Sequence, residues 1–339
     1  MLARLIRQLP DGGYVFEPKW DGFRCMATRD GGRIELISRH GRPLERYFPE
    51  LVDALARVRL KRWTLDGEVL VEVDRQFDFG ALMARLHPAE SRVRELAERT
   101  PAMFVAFDLV ALGAEDLSAR RFIERRRRLE QLLAGAEPPL YLTPATEDRE
   151  LAERWLVEFC GGGADGVVAK HRDLPYQPGK RAMLKVKLER TADCVVAGAR
   201  GVGDPPQILS LLLGLHDAHR LEHIGVVSSF SRQRRRELAA ELAPLATSLA
   251  GHPWEHGFLT GGGHMGRLPG AAGRWVPAMT LDWVPLRPER VIEVSYTQVD
   301  GYRLRHPAKF LRWRPDRDPA SCRRDQLESP PISAELLRS

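Results

Sequence analysis

Lysine is scarce in this chain, with 7 residues against 45 arginines among 339. Arginine serves surface charge and phosphate pairing, but a pKa above about 12 forbids it from acting as a neutral amine nucleophile. Lysines kept in such a chain are candidates for reactivity, and Lys19, Lys170, Lys185 and Lys187 all fall inside short stretches that otherwise look built for phosphate chemistry, to which the scarcity adds only support. Long apolar runs are missing too. No stretch approaches the roughly 18 residues of a helical membrane span, so no membrane role is expected. Met1 to Pro10 lack the apolar run and small-residue cleavage site of a secretory signal, which predicts a cytoplasmic protein. The cysteines, Cys25, Cys160, Cys194 and Cys322, are far apart and form no CxxC pair. That argues against zinc and against a disulfide framework, leaving reduced structural thiols. No GxxxxGK[ST] occurs, and Gly201-Val202-Gly203 fails the GxGxxG pattern, so any nucleotide is bound without a P-loop or dinucleotide fingerprint. There is no internal repeat.

With 43% hydrophobic residues the chain can bury a core in each of two domains. A net charge of +6 permits a polyanionic partner without establishing one. From Tyr14 to Lys187 short β-rich runs alternate with helical stretches, which predicts an α+β domain of antiparallel sheets. Phe23 to Thr28 and Arg33 to Ser38 flank Asp30-Gly31-Gly32, a hairpin turn. Further strands are expected at Val69 to Val73, Met103 to Val110, Gly166 to Lys170 and Ala182 to Leu188. Helices are expected at Phe48 to Val58, Ser91 to Arg99, Ser118 to Leu133 and Glu150 to Cys160. In the third helix Arg125 to Arg128 read as a solvated face. After Lys187 five strand-like runs follow, with a helix from Ser231 to about Leu249 between the third and fourth, the pattern of a small OB-type β-barrel. Gly251 to Arg274 reads as a long Gly-, Pro- and His-rich loop. The boundaries are 1–189, 190–318 and a lightly packed polar tail at 319–339.

The sharpest segment is Glu17-Pro18-Lys19-Trp20-Asp21-Gly22-Phe23-Arg24. To attack a phosphate the Lys19 amine must be neutral, yet a pKa of about 10.4 leaves roughly one molecule in a thousand neutral near pH 7.5, equivalent to about 4 kcal/mol. A bound divalent metal and the cations of Lys185 and Lys187 would lower that pKa and neutralise phosphates. Read alone, the KxDG segment favours a surface lysine beside a turn over a nucleophile. It is followed, in order, by Ser38-Arg39-His40-Gly41, Leu65-Asp66-Gly67-Glu68, Phe104-Val105-Ala106-Phe107-Asp108, Asp165-Gly166-Val167-Val168-Ala169-Lys170, Leu184-Lys185-Val186-Lys187 and Arg312-Trp313-Arg314-Pro315-Asp316-Arg317. This ordered set resembles the minimal ATP-dependent DNA ligases of the covalent nucleotidyltransferase superfamily, of the bacterial repair type, similar to the ligase module of bacterial end-joining enzymes. The match spans nearly the whole chain.

The resemblance implies an antiparallel-sheet nucleotidyltransferase (adenylation) domain followed by an OB-fold domain. It implies Lys19 as the lysyl-AMP nucleophile, with Asp21 holding its loop and assisting the last step. Glu17 would read the adenine amino group, Trp20 and Arg24 belong to the nucleotide site, and Arg39 would contact phosphate. Glu68 would accept from ribose hydroxyls or hold metal, and Phe107 and Val168 would sandwich the adenine. Lys170 would reach phosphate or hold the pocket, and Lys185 with Lys187 would face the triphosphate. Asp165 stands where the family carries glutamate, so its metal contact is direct or through water. Arg314, Asp316 and Arg317 resemble the terminal element that orients the leaving pyrophosphate, with Arg317 replacing a lysine and Arg312 as the alternative register. ATP, Mg²⁺ or Mn²⁺ and nicked double-stranded DNA follow as cofactors and substrate, with a repair polymerase or an end-binding protein as partner. Only 18 residues precede Lys19, so no separate N-terminal DNA-binding domain is expected, and the reading is of a monomer at the nucleoid. A GTP-dependent mRNA capping-type guanylyltransferase and a non-catalytic DNA-end-binding module are the alternatives.

Overall fold

The computed structural model describes residues 1–159, 163–204, 206–218, 220–256, 283–328 and 337. It divides into two compact units, Met1–Leu188 with Ser329–Ser339, and Glu189–Glu328. No described helix is long and apolar enough to cross a membrane.

The first unit begins with strands β1 (Ala3–Leu5), β2 (Tyr14–Trp20), β3 (Phe23–Asp30) and β4 (Arg33–Ser38), then helix α1 (Pro49–Ala56) and β5 (Arg62–Val73). It continues through β6 (Gln76–Phe77), α2 (Phe79–Ala84), α3 (Glu90–Arg99), β7 (Ala102–Leu112), β8 (Glu115–Asp116) and α4 (Phe122–Leu133). β9 (Leu140–Leu142), α5 (Arg149–Glu158), β10 (Ala164–His171) and β11 (Met183–Val186) complete it. One sheet orders β1-β11-β10-β2; the other orders β4-β3-β5-β7-β8, with β6 on β5 and β9 on β7. The expected hairpin is present as β3 and β4, paired from Cys25↔Ser38 to Asp30↔Arg33, with Gly31 at φ 63° in the turn. Two pairs, β1 with β11 and β7 with β9, are parallel, so the domain is not purely antiparallel. A parallel neighbour needs no hairpin, and neither β1 nor β9 carries a turn signal that the sequence could show.

Alternation explains how each strand divides its labour. In β2, Phe16 and Trp20 are buried in the apolar core beneath the first sheet, while Glu17 and Lys19 lie on the alternate positions. The second sheet packs its own core around Cys25, Leu36, Trp63, Leu65, Phe104 and Leu109, closed by α1 and α4. Only Asp21 and Gly22 separate β2 from β3, so the Lys19 segment is where the chain passes from one sheet to the other.

The arginine run of α4 is a solvated face only in its second half: Arg127 is exposed and Arg128 partly so, but the first two arginines turn inward. Arg125 is 0% and Arg126 is 6% exposed, because carboxylates wait beneath the helix. Arg125 clamps Asp108 through two bonds of 2.8 and 3.0 Å, and Arg126 reaches Glu17 at 3.5 Å and donates to the Thr143 carbonyl at 2.9 Å.

The second unit comprises β12 (Arg190–Val202), β13 (Gln207–Asp217), β14 (Arg220–Val227), α6 (Arg232–Leu242), β15 (Val284–Tyr296), β16 (Val299–Asp300), β17 (Arg303–Leu304) and β18 (Lys309–Trp313). Its main sheet orders β14-β13-β12-β15-β18. A parallel bridge, Val227↔Ala308, brings the end of β14 to the start of β18, with Ala308 N–H donating to Val226 O at 2.8 Å. Ser231 caps α6 by accepting from the Arg234 amide. The helix ends at Leu242 and passes into a 3-10 turn at Ala243–Leu245, shorter than expected, because Pro244 has no N–H to continue it. Residues 319–328 do not trail away. Asp318 caps a turn at Pro319–Ser321, and Cys322 and Leu327 are buried in the unit's core, where a fully buried leucine contributes about 1.5–3 kcal/mol. Cys160 and most of the loop expected at Gly251 to Arg274 fall outside the described residues.

Candidate active site

Between the two sheets of the first unit lies a cavity of about 370 Å³. The first sheet supplies Glu17 and Lys19 from β2, Val168 and Lys170 from β10, and Lys185 from β11; the second supplies Arg24, Glu68 and Phe107, with Arg39 just beyond β4. Register explains the first wall. Val168 pairs across with Lys185 on one side and Glu17 on the other, so the three form one row across the sheet.

Lys19 Nζ lies 2.6 Å from Asp165 Oδ1, and Lys187 pairs with the other carboxylate oxygen. Burial pulls the Lys19 amine down, but Asp165, then Glu68 and Asp21, outweigh it and hold the amine above its ordinary value. The expectation that neighbouring cations lower it is therefore not met in this state: the nearest charge is a carboxylate, not a lysine. Lys185 is shifted down, by burial first and then by Lys19 and Lys187. Glu68 accepts from the Gly22 amide at 3.2 Å, and burial pushes its carboxyl up to about 8 against the pull of Lys19.

Lys170 is 1% exposed and stands at the cavity wall. Its ammonium pairs with Glu17 at 2.7 Å, donates to the Phe107 carbonyl at 2.8 Å, and lies 4.9 Å from the Phe107 ring centroid. These contacts tie Glu17 to Phe107. Trp20 borders the cavity, but its indole is buried, donating to Thr143 Oγ1 at 2.9 Å and packing edge-on against Phe77. Asp21 sits in the sheet-to-sheet crossing, its amide donating to Gly163 O at 3.0 Å.

In the second unit, Arg314 donates to both oxygens of Asp193 at 2.9 and 3.1 Å and to Asp316. Arg317 reaches Asp193 at 3.5 Å, while Arg312 pairs at 2.6 Å with a Glu293 oxygen that Arg314 also approaches at 4.0 Å. The Arg314 pair holds Asp316 down to about 2.

Several lining residues escaped the sequence reading. Leu2, Ala3 and Leu5 wall the cavity because β1 runs beside β11. Arg181 and Met183 join Lys185 at alternate positions along that edge, a period-2 signal that was present in the sequence but masked by the motif at Lys185 and Lys187. Asp66, inside a recognised motif, binds Arg24 by two hydrogen bonds of 3.0 and 2.6 Å.

A divalent metal is tested by the donor set. Among the described residues no group of three His, Cys, Asp or Glu is placed to hold one. Glu68 and Asp165 nonetheless flank the same ammonium, Asp165 Oδ1 is buried with no hydrogen-bond partner besides that ion pair, and hard cations such as Mg²⁺ take one or two carboxylates plus phosphate oxygens and water. The residues fit such an ion.

Comparison with known proteins follows the same lines. The ATP dependent DNA ligase domain matches residues 1–187, and the ATP dependent DNA ligase C terminal region matches residues 205–317. The chain is 50% identical to DNA ligase C2 of Mycolicibacterium smegmatis, covering 99% of this chain and 96% of that protein. It is 49% identical to DNA ligase C of Mycobacterium tuberculosis, covering 97% of this chain and 93% of the relative. In fold it is similar to a solved Lig E DNA ligase, with a TM-score of 0.53 at 18% identity over 93% of this chain and 99% of the other. The chain belongs to the ATP-dependent DNA ligases.

Proposed function

We propose that this protein seals nicks in duplex DNA through a lysyl-AMP at Lys19. The observation that carries the reading is Lys19 itself, an amine at a cavity wall with Asp165, Glu68 and Lys185 around it. In the first step Lys19 Nζ attacks the α-phosphorus of ATP, a P–N bond forms, the bond to the bridging oxygen breaks, and pyrophosphate leaves as the amine gives up its proton. The 5′-phosphate at a nick then takes the AMP and returns the amine to Lys19. Finally the 3′-hydroxyl attacks that phosphate, forming the phosphodiester and releasing AMP.

Glu68 and Asp165 would hold the divalent cation that the family uses, whose chemistry here is neutralisation of phosphate charge. With Asp165 engaged in that way, Lys19 would lose the nearest of the carboxylates that hold its pKa up. Phe107 and Val168 would enclose the base, with adenine stacking on Phe107 contributing about 1–3 kcal/mol, and Glu17, fixed by Lys170 and Arg126, would face its exocyclic amine. Lys185, Lys187 and Arg39 would answer the phosphates. We read the second unit as an OB-type barrel, supported by its five-stranded order and the parallel bridge between its third and fifth long strands. Arg314, Asp316 and Arg317 would orient the departing pyrophosphate.

The test is intact-mass spectrometry after incubation with ATP and Mg²⁺. We expect a gain of one AMP, lost in Lys19→Ala and discharged by nicked DNA. No adduct, including after pyrophosphate treatment to strip pre-bound AMP, would sink the proposal in favour of a non-catalytic DNA-binding role.

A further inference from the structure

We infer that Tyr176 is a positioning residue for the nucleotide, acting on the cavity through Asp66 and Arg24; the inference rests on the ligase reading above. Tyr176 lies between β10 and β11, in a stretch anchored beyond it by the Leu2 amide, which donates to Lys180 O at 2.7 Å, and by two bonds at and before it. Its amide donates to Ser118 O at 2.7 Å, and Arg125 Nη1 donates to Leu174 O at 2.9 Å. The Tyr176 ring is buried beside Met1 and Met183, and its hydroxyl donates to Asp66 Oδ2 at 2.8 Å. Asp66, 1% exposed, passes that constraint on: it accepts from Arg24 Nε at 3.0 Å and from Nη2 at 2.6 Å. Arg24 is the member of this chain that faces the cavity. Its guanidinium carbon lies 5.8 Å from the Phe107 ring centroid, and Nη1 donates to the Met1 carbonyl. A guanidinium has five N–H donors, so these protein contacts leave donors for a ligand in a plane that Asp66 dictates.

The hydroxyl has a specific task there. Asp66 stands directly opposite Asp108 in the β5 and β7 register, an arrangement in which like charges repel. Arg24 answers one carboxylate and Arg125 the other. The Arg125 guanidinium carbon also lies 5.7 Å from the Tyr176 ring, so this one side chain touches both pairs. A bidentate arginine follows its carboxylate plane. By occupying Oδ2 from a rigid segment, Tyr176 fixes that plane; phenylalanine would fill the same space and leave the carboxylate free to rock with Arg24.

The experiment measures the initial rate of AMP adduct formation against ATP concentration for the wild type, Tyr176→Phe, Arg24→Ala and the double variant, with melting midpoints alongside. Tyr176→Phe is expected to raise the KM for ATP roughly three- to ten-fold, less than the full worth of one hydrogen bond to a charged group because the effect reaches the nucleotide only through Asp66 and Arg24, and to add nothing once Arg24 is alanine. A merely structural role would lower the melting midpoint and the active fraction without moving KM. Asp66→Asn, which keeps the shape but loses the charge, must show a larger increase with the same dependence on Arg24. An unchanged KM in Tyr176→Phe, or equal increases with and without Arg24, overturns the inference. A wild type that forms no adduct overturns the ligase reading instead.

Discussion

A methyl group on Gly22 would lie 2.1 Å from the Val69 carbonyl oxygen, 2.7 Å from Leu70 Cδ2 and 3.1 Å from Glu68 Cγ. The carbonyl belongs to the β5 backbone and cannot retreat without disturbing the strand that carries Glu68. The glycine that follows Lys19 by three positions is thus required by close approach of two backbones, not by a positive φ. Gly166 answers a similar need on β10, where a Cβ would meet Val186 O at 2.0 Å and φ is 149°. Gly22→Ala is expected to slow AMP adduct formation by at least about 100-fold and to cost about 1–3 kcal/mol of stability from overpacking, read by single-turnover rates and denaturant titration. A near-normal rate would mean that the crossing can shift without harm. At this scale residue identities were legible and partners were not. That Lys19 and Lys187 share the carboxylate of Asp165 depends on residues far apart in sequence, and spacing alone suggested cationic neighbours where an anion sits.

Along elements, the paired β5 and β7 strands show why Arg125 in the arginine run of α4 is buried against expectation. Binary pattern treats arginine as surface, but two carboxylates facing each other in a buried sheet need cations, and here one comes from the neighbouring strand as Arg24 and the other from the covering helix as Arg125. Arg125→Met should cost about 3–5 kcal/mol by stranding Asp108 beside Asp66, measured by denaturant unfolding, and Asp108→Asn in the same chain should recover part of that loss. A loss under 1 kcal/mol would show that Asp108 finds another partner or water. In the second unit, β14 carries His223 at 0% exposure, with Arg303 Nη2 at 2.6 Å from its Nδ1. Burial, then Arg303 and Arg200, hold its pKa down to about 3 from 6.5. The unfolded chain therefore binds a proton that the folded chain refuses. The stability contributed by neutral His223 is complete above about pH 6.5 and is lost progressively as pH falls toward 3. At pH 5 the loss is on the order of 2 kcal/mol. The drop in stability between pH 7 and pH 5 should shrink in His223→Gln; identical drops in variant and wild type would exclude this histidine as the cause.

For the whole molecule, the change in texture near Lys187 was legible because strands of a five-stranded sheet replace the mixed pattern before it, and the family regions fall on either side, at 1–187 and 205–317. The N-terminal strand was not legible: three residues, Ala3 to Leu5, carry too little pattern, and what makes them a strand is the open edge of β11. Charge is the other property of this scale. The excess is only +6 from 52 basic and 46 acidic residues, and arginines such as Arg24, Arg125 and Arg126 are committed to internal carboxylates. A weak overall field gives little long-range attraction, so affinity for DNA has to come from local contacts between cations and phosphates, each releasing a counterion. Roughly four such contacts would give a slope near −3.6 in log K against log salt, a loss on the order of 100-fold between 50 and 200 mM. Adduct formation from ATP involves no duplex and should change little over the same range. Measured side by side, a steep fall in nick binding with a flat adenylation rate is the expected result. Binding that held constant with salt would remove phosphate contacts as its source and leave base or sugar contacts to explain it.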